Sequence, residues 1–128
     1  MPRSPSGKKS KPRLAAELYG RRGELLAAWY LRLCGYRIVA SRYKTPIGEI
    51  DLIARRFGVT VFVEVKARQQ RQSLAEALEA VNSRRITAAA QYFVSRHSNL
   101  AATDMRFDVI FVAPLSWPRH VRNAFDAS

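Results

Sequence analysis

The chain has 128 residues, 48% of them hydrophobic, and 22 Lys and Arg against 10 Asp and Glu give it a formal charge of +12. That length and apolar content suffice for one domain with a buried core and exclude disorder throughout. The longest apolar run, Leu25 to Leu31, is far too short to span a bilayer.

Met1 to Arg13 carries five basic residues, no acids and several Pro, Ser and Gly, the composition of a disordered basic tail. The remaining +7 belongs to residues 14–128, whose 17 basic side chains are 15 Arg and only two Lys, Lys44 and Lys66. No apolar segment follows the basic N-terminus, so no secretory signal is expected, and the lone Cys34 cannot form an internal disulfide. A cytoplasmic location follows as the expectation. A charge of this size points to a polyanion, most simply nucleic acid, with an anionic membrane surface as the rival that is set aside.

Between Leu14 and Cys34, Leu18, Leu25, Trp29 and Leu33 recur at helical spacing, and Gly35 supplies a stop. The helix starts either at Leu14 or nearer Arg21, because Gly20 and Gly23 weaken its first half. Core packing is expected to explain Trp29. Tyr36–Tyr43 reads as a strand, and Ile47–Arg55 and Val59–Ala67 read as a hairpin. Apolar residues of both parities in that hairpin call for cover on both faces. A polar loop, Arg68–Ser73, leads to a short helix near Leu74–Val81, and Ser83 is the expected N-cap of the next. Ile86, Ala89, Ala90, Phe93 and Val94 form that helix's apolar stripe, and Met105–Ala113 alternates as a strand before Pro114 and Pro118. The order is one helix, three strands, two helices and a strand: a single α/β domain over residues 14–114, with 115–128 as a C-terminal extension.

The hairpin carries the chemistry. A two-residue loop of Phe57 and Gly58 sets Arg56 opposite Val59 and therefore Asp51 opposite Glu64; a four-residue loop does the same. A three-residue loop sends the carboxylates to opposite faces unless a bulge compensates, and Phe57 is ill suited to the positive φ of a tight turn. Two carboxylates facing each other repel unless something positive lies between them. Lys66 shares the face of Glu64. A hard cation such as Mg²⁺ would also neutralise the pair, with the Val65 carbonyl as a further ligand. The alternative is an Asp/Glu/Lys cluster that neutralises itself as a buried salt bridge, and position alone does not choose between them.

Gly48-Glu49-Ile50-Asp51-Leu52-Ile53 followed by Val61-Phe62-Val63-Glu64-Val65-Lys66 resembles the signature of the PD-(D/E)xK nuclease superfamily. The wider stretch from Gly23-Glu24 through Arg106-Phe107-Asp108-Val109 resembles the YraN-like bacterial family, related to archaeal Holliday junction resolvases. The resemblance implies a restriction-endonuclease-like mixed β-sheet flanked by helices. It implies that Asp51 and Glu64 ligate Mg²⁺ or Mn²⁺, that Lys66 orients or activates the attacking water, and that Glu24 joins the site. The Glu24 face of its helix, with Ala27, Ala28 and Leu31, is small and apolar enough to approach a sheet; the other reading of Glu24 is a solvated residue paired with a nearby Arg. Glu49 is read as structural or as a supporting partner. Family members often carry Asn where this chain has Ser41, and Lys at the position of Arg85.

Arg84 and Arg85 open a helix, where positive charge opposes the dipole. A bound phosphate would reverse that penalty, and Glu79 offers an equally simple compensation. With Lys44 and Arg68 they are assigned the nucleic-acid contacts. Gln91 is read as a solvated helix residue, Asp108 as a structural residue that needs a partner, and His97 and His120 as isolated, with no zinc-ligand spacing. The expected activity is metal-dependent hydrolysis of DNA phosphodiesters, on branched or damaged substrates by the resemblance, which also implies a homodimer for symmetric cutting. The alternative is a nucleic-acid-binding module with the same fold that cuts nothing.

Overall fold

The structure, a computed structural model, describes residues 11–67, 73–79, 81–100 and 103–125. In chain order it contains helix α1 (Lys11–Leu33), strands β1 (Arg37–Lys44), β2 (Glu49–Arg56) and β3 (Val59–Ala67), helices α2 (Leu74–Glu79) and α3 (Ser83–Arg96), a 3₁₀ turn at Ser98–Leu100, and strands β4 (Asp104–Val112) and β5 (Arg119–Val121). The strands form one sheet in the order β1-β2-β3-β4-β5. Pairing is antiparallel except between β3 and β4, which run parallel because α2 and α3 provide the crossover. The protein is thus α/β, a mixed sheet with helical cover, as the strand pattern requires.

Each face has its own core. Ala27, Ala28 and Leu31 of α1 pack on Leu52, Ala54, Val61, Val63, Ile110 and Val112. On the other face Ile86, Ala89, Ala90 and Phe93 of α3 meet Ile50, Ile53, Phe62 and Phe107. α2 contributes Ala77 beside Val109 and Phe111. Its N-terminus is closed by a capping box in which the Ser73 Oγ accepts from the Glu76 amide and Glu76 accepts from the Ser73 amide, both at 3.1 Å.

The long helix turns a different face inward from the one its large residues suggested. Leu25, Trp29 and Leu33 are 67%, 64% and 64% exposed, whereas Ala27 and Leu31 are fully buried. The expectation that Trp29 packs in the core is therefore corrected, while Phe93 does so. The physical reason is proximity: a Cβ at Gly23 would come within 2.9 Å of Val112 Cγ2, so only the glycine and alanine side of α1 allows the axis to lie this close to the sheet. The Gly23→Val variant is accordingly expected to push α1 off the sheet and lower stability by about 1–3 kcal/mol, measurable as a shift in the urea midpoint.

Other boundaries move for local reasons. α1 starts at Lys11, inside the stretch read as tail. It ends at a Schellman motif, with Tyr36 N–H on Leu31 O at 2.9 Å, Gly35 N–H on Arg32 O at 3.0 Å, and Gly35 at φ +89°. The N-cap of α3 is Asn82, whose Oδ1 accepts from the Arg85 amide at 3.1 Å, rather than Ser83. The hairpin loop is the two-residue form: Phe57 and Gly58 adopt φ +50° and +77°, a type I′ turn. Phe57 tolerates the left-handed conformation at the tip, 92% exposed, with the Arg56 guanidinium 5.3 Å from its ring centroid. Strand β5 lies within the stretch set apart as an extension and forms an edge of the sheet against β4.

Candidate functional site

The β2–β3 ladder runs from Arg56–Val59 to Leu52–Val63, and the same register carries Asp51 to the level of Glu64. There the regular pairing stops. The Val65 amide donates instead to the Asp51 carboxylate, 2.8 Å to Oδ2. The in-and-out alternation of β2 is also broken at this point, since Ile50 and Ile53 belong to the α3-side core and Leu52 to the α1-side core. Across on β1, Arg42 sits between the Ser41–Leu52 and Tyr43–Ile50 pairs with φ +52°. A non-glycine residue in that region costs about 1–2 kcal/mol, and here it accompanies the break.

Glu24 reaches this point from α1, carried by the close helix–sheet approach at Gly23. Its Oε1 accepts from Arg42 Nε at 3.0 Å. Burial, and next the Asp51 charge, raise its pKa above the ordinary value, against the lowering effect of Arg42. Glu64, only 15% exposed, has Lys66 Nζ at 3.7 Å. Its pKa is pushed up to about 8, first by burial, then by the Asp51 charge and a hydrogen bond to Asp51, with Lys66 opposing. Glu64 is therefore harder to ionise than a free glutamate, because it is buried and faces the Asp51 carboxylate.

The structure brings Glu24, Asp51, Glu64 and Lys66 into one cluster. Among the described residues no group of three or more His, Cys, Asp or Glu stands in metal-ligating geometry, and Glu24 is paired with Arg42. The candidate ligand set is two carboxylates. That set fits Mg²⁺, which is commonly held through one or two carboxylates with water and phosphate oxygens completing its shell.

The predicted nucleic-acid contacts separate. Lys44 is exposed and pairs with Glu49 in the β1–β2 register. Arg85 lies at the same end of the sheet, its stem over Gly48, where a Cβ would approach Arg85 Cγ to 2.6 Å. Gly48 itself closes a turn in which Thr45 Oγ1 accepts from the Ile47 and Gly48 amides at 3.1 and 3.0 Å. Arg84 is exposed on the first turn of α3, and Gln91 is exposed farther along it. Arg68 falls outside the described residues. Arg42 was missed, since nothing in Ser41-Arg42-Tyr43 signals a left-handed residue.

A second polar cluster lies under α1. Asp108 is fully buried and accepts from Arg106 Nε and Nη2, each at 2.8 Å, from His120 Nε2 at 2.7 Å, and from the Asn123 amide at 2.9 Å. His120 Nδ1 meets the Tyr30 hydroxyl at 3.2 Å, and Arg106 Nη2 also reaches the Tyr36 hydroxyl at 2.6 Å. His120 is thus not isolated. The carboxylate can only accept, so Nε2 bears a proton. Burial alone would raise the Asp108 pKa, but the bonds from His120, Arg106 and Asn123 outweigh it and hold it below the usual range. With every partner internal, the cluster is structural, as expected for Asp108.

No helix among the described residues is long and apolar enough to cross a membrane. Residues 23–112 match the family described as "Uncharacterised protein family UPF0102". A UPF0102 protein of Chelativorans sp. (strain BNC1) is 53% identical over 111 residues, covering 84% of this chain and 87% of the relative. One from Mesorhizobium japonicum is 53% identical over 119 residues, covering 91% and 93%, and one from Parvibaculum lavamentivorans is 48% identical over 112 residues, covering 88% and 84%. The matched span takes in Glu24, Asp51, Glu64, Lys66, Arg106 and Asp108, and on this basis the chain belongs to the UPF0102 family.

Proposed function

We propose that this chain is a metal-dependent endonuclease of the PD-(D/E)xK superfamily that hydrolyses phosphodiester bonds in DNA. The observation that carries the reading is that Asp51, Glu64 and Lys66 meet at one break in the sheet, where the Val65 amide bonds the Asp51 carboxylate and the Lys66 ammonium stands beside Glu64. Asp51 and Glu64 would hold Mg²⁺ or Mn²⁺ through oxygen ligands. Such an ion supplies charge stabilisation to the phosphate and a water of lowered pKa. Lys66, whose ammonium stands beside Glu64, orients the attacking water by donating a hydrogen bond. The Val65 amide fixes the Asp51 carboxylate in place. Glu24 acts as a reserve carboxylate held by Arg42. Arg84, Arg85 and Lys44 bind the DNA backbone, a contact with little sequence discrimination. Symmetric cleavage of a branched substrate requires two copies of the chain.

A second reading is a nucleic-acid-binding module that cuts nothing, and the Glu24–Arg42 ion pair, which occupies the third carboxylate, favours it. One experiment separates the two. The full chain, with its Asp51→Ala and Glu64→Ala variants, is incubated with linear, nicked, flapped and four-way-junction DNA in Mg²⁺, Mn²⁺ or EDTA. The nuclease reading expects cleavage in Mg²⁺ or Mn²⁺, none in EDTA, and a loss of at least about 100-fold in each variant. Cleavage that survives both substitutions overturns the site. Binding without cleavage, weakening with salt at a slope of about 0.9 per neutralised phosphate, establishes the module instead.

A further inference from the structure

Beside the acid cluster, α1, β1 and β2 border an open cavity of about 360 Å³. Its rim carries Arg21, Arg42 and Ser41, and its floor is Ala28 and Leu52, with Leu25 along one side. Glu24 closes the end toward Asp51. The volume is that of a small-ligand pocket and accommodates one nucleotide.

The lining is mixed in a way that selects among ligands. A phosphate alone needs the Arg21 guanidinium at the rim and gains nothing from Leu25, Ala28 and Leu52. A purely apolar ligand gains nothing from the arginines. A ligand with an anionic group joined to a flat, weakly polar body uses both. In a continuous duplex the bases are stacked inside, and only backbone reaches a protein cleft; a base enters a pocket after leaving the stack. The proximity of the cavity to Asp51 sets where along a strand such a nucleotide would lie.

We propose that this cavity receives one unpaired nucleotide of a DNA strand, its phosphate on Arg21 at the rim, Arg42 being held by Glu24, and its sugar and base against Leu25, Ala28 and Leu52. Resting on the nuclease reading for its position, the inference places the unpaired nucleotide next to the phosphodiester at the acid cluster. The substrate class is therefore DNA with an unpaired nucleotide at the cut, as in a flap, a gap or a frayed end, in preference to continuous duplex.

Binding without turnover tests it. A single-stranded oligonucleotide carrying 2-aminopurine, and the fully paired duplex of the same length, are titrated into the full chain in EDTA at fixed salt. Fluorescence anisotropy reads affinity, and 2-aminopurine intensity reads the environment of the base. Single strand is expected to bind at least about 10-fold more tightly than duplex, with a change in 2-aminopurine emission. Ser41→Phe fills the cavity from an exposed position on β1 and is expected to remove that preference, about 10-fold, while leaving duplex binding unchanged. Arg21→Ala, a surface change that leaves the core untouched, is expected to weaken single-strand binding more than duplex binding, and it keeps the inference testable if Ser41→Phe melts below the wild type. Equal affinity for the two DNAs, or variants that weaken both alike or neither, overturns the cavity's role even if cleavage is found. A single-strand preference erased by Ser41→Phe in a protein that never cleaves upholds the cavity and removes the nuclease reading.

Discussion

Asp108→Asn is expected to lower the stability of the fold by about 3–5 kcal/mol, the usual consequence of breaking a buried ion pair from one side. Four donor groups converge on that carboxylate, from β4, β5 and the turn that follows. Asparagine retains one acceptor oxygen and turns an amide toward a side already filled with donors. The Arg106 guanidinium is then left without its counter-charge, only 23% exposed. The effect extends to β5, whose three residues hold the edge of the sheet through His120 and Val121. Thermal unfolding followed by circular dichroism should show a fall of roughly 10–20 °C. The carboxylate's depressed pKa means that its contribution is fully present above the ordinary pKa of 3.8 and disappears as pH falls through the lower folded value. Wild type should therefore lose stability steeply at acid pH, and the variant should lack that limb. A loss under about 1 kcal/mol would show that the cluster sets geometry without stabilising the fold.

Glu64→Gln is expected to act in the opposite direction on stability and to abolish the candidate metal function. The folded-state pKa of Glu64 is raised, to about 8 against an ordinary 4.5. Its contribution is therefore complete below pH 4.5 and is lost progressively as pH rises toward 8. Glutamine resembles the protonated acid at every pH. The variant should equal the wild type near pH 5 and exceed it by about 1–3 kcal/mol at pH 8, as read from urea denaturation across that range. Titration calorimetry with Mg²⁺ and Mn²⁺ supplies the functional half: the reading in which Asp51 and Glu64 hold the ion requires affinity in the wild type and at least about a 10-fold loss in the variant. A variant that is less stable at pH 8 would show that burial does not dominate the environment of Glu64.

The hairpin was legible because its register depends on one local quantity, the loop length. Once Phe57 and Gly58 form a two-residue turn, the position of Asp51 opposite Glu64 is fixed by counting. Three other features were not legible, each for a different reason. The inward face of α1 was misassigned because hydrophobic periodicity weights large side chains, whereas a helix lying against a sheet at van der Waals distance selects Gly23, Ala27 and Ala28. The Asp108 cluster joins residues from α1, β4, β5 and the loop after α1, and no spacing in sequence announces such a convergence. The left-handed Arg42 depends on where β1 pairs with β2, a tertiary fact. The cluster of Glu24 with the hairpin acids was foreseen through the resemblance and through the small face around Ala27, Ala28 and Leu31; its ion pair with Arg42 was foreseen only as an unspecified arginine.

The parallel pairing of β3 with β4 has a consequence for how the chain folds. β1, β2 and β3 are joined by tight turns and pair with near neighbours, so their closure costs little entropy. Val59 meets Asp104 across the whole α2–α3 crossover, a closure that is slower and costs more. Both carboxylates of the candidate site lie on the fast, local side of that division. Order at Asp51 and Glu64 can therefore precede completion of the sheet, while the Asp108 cluster, which needs β4 and β5 together, forms only once the crossover has closed.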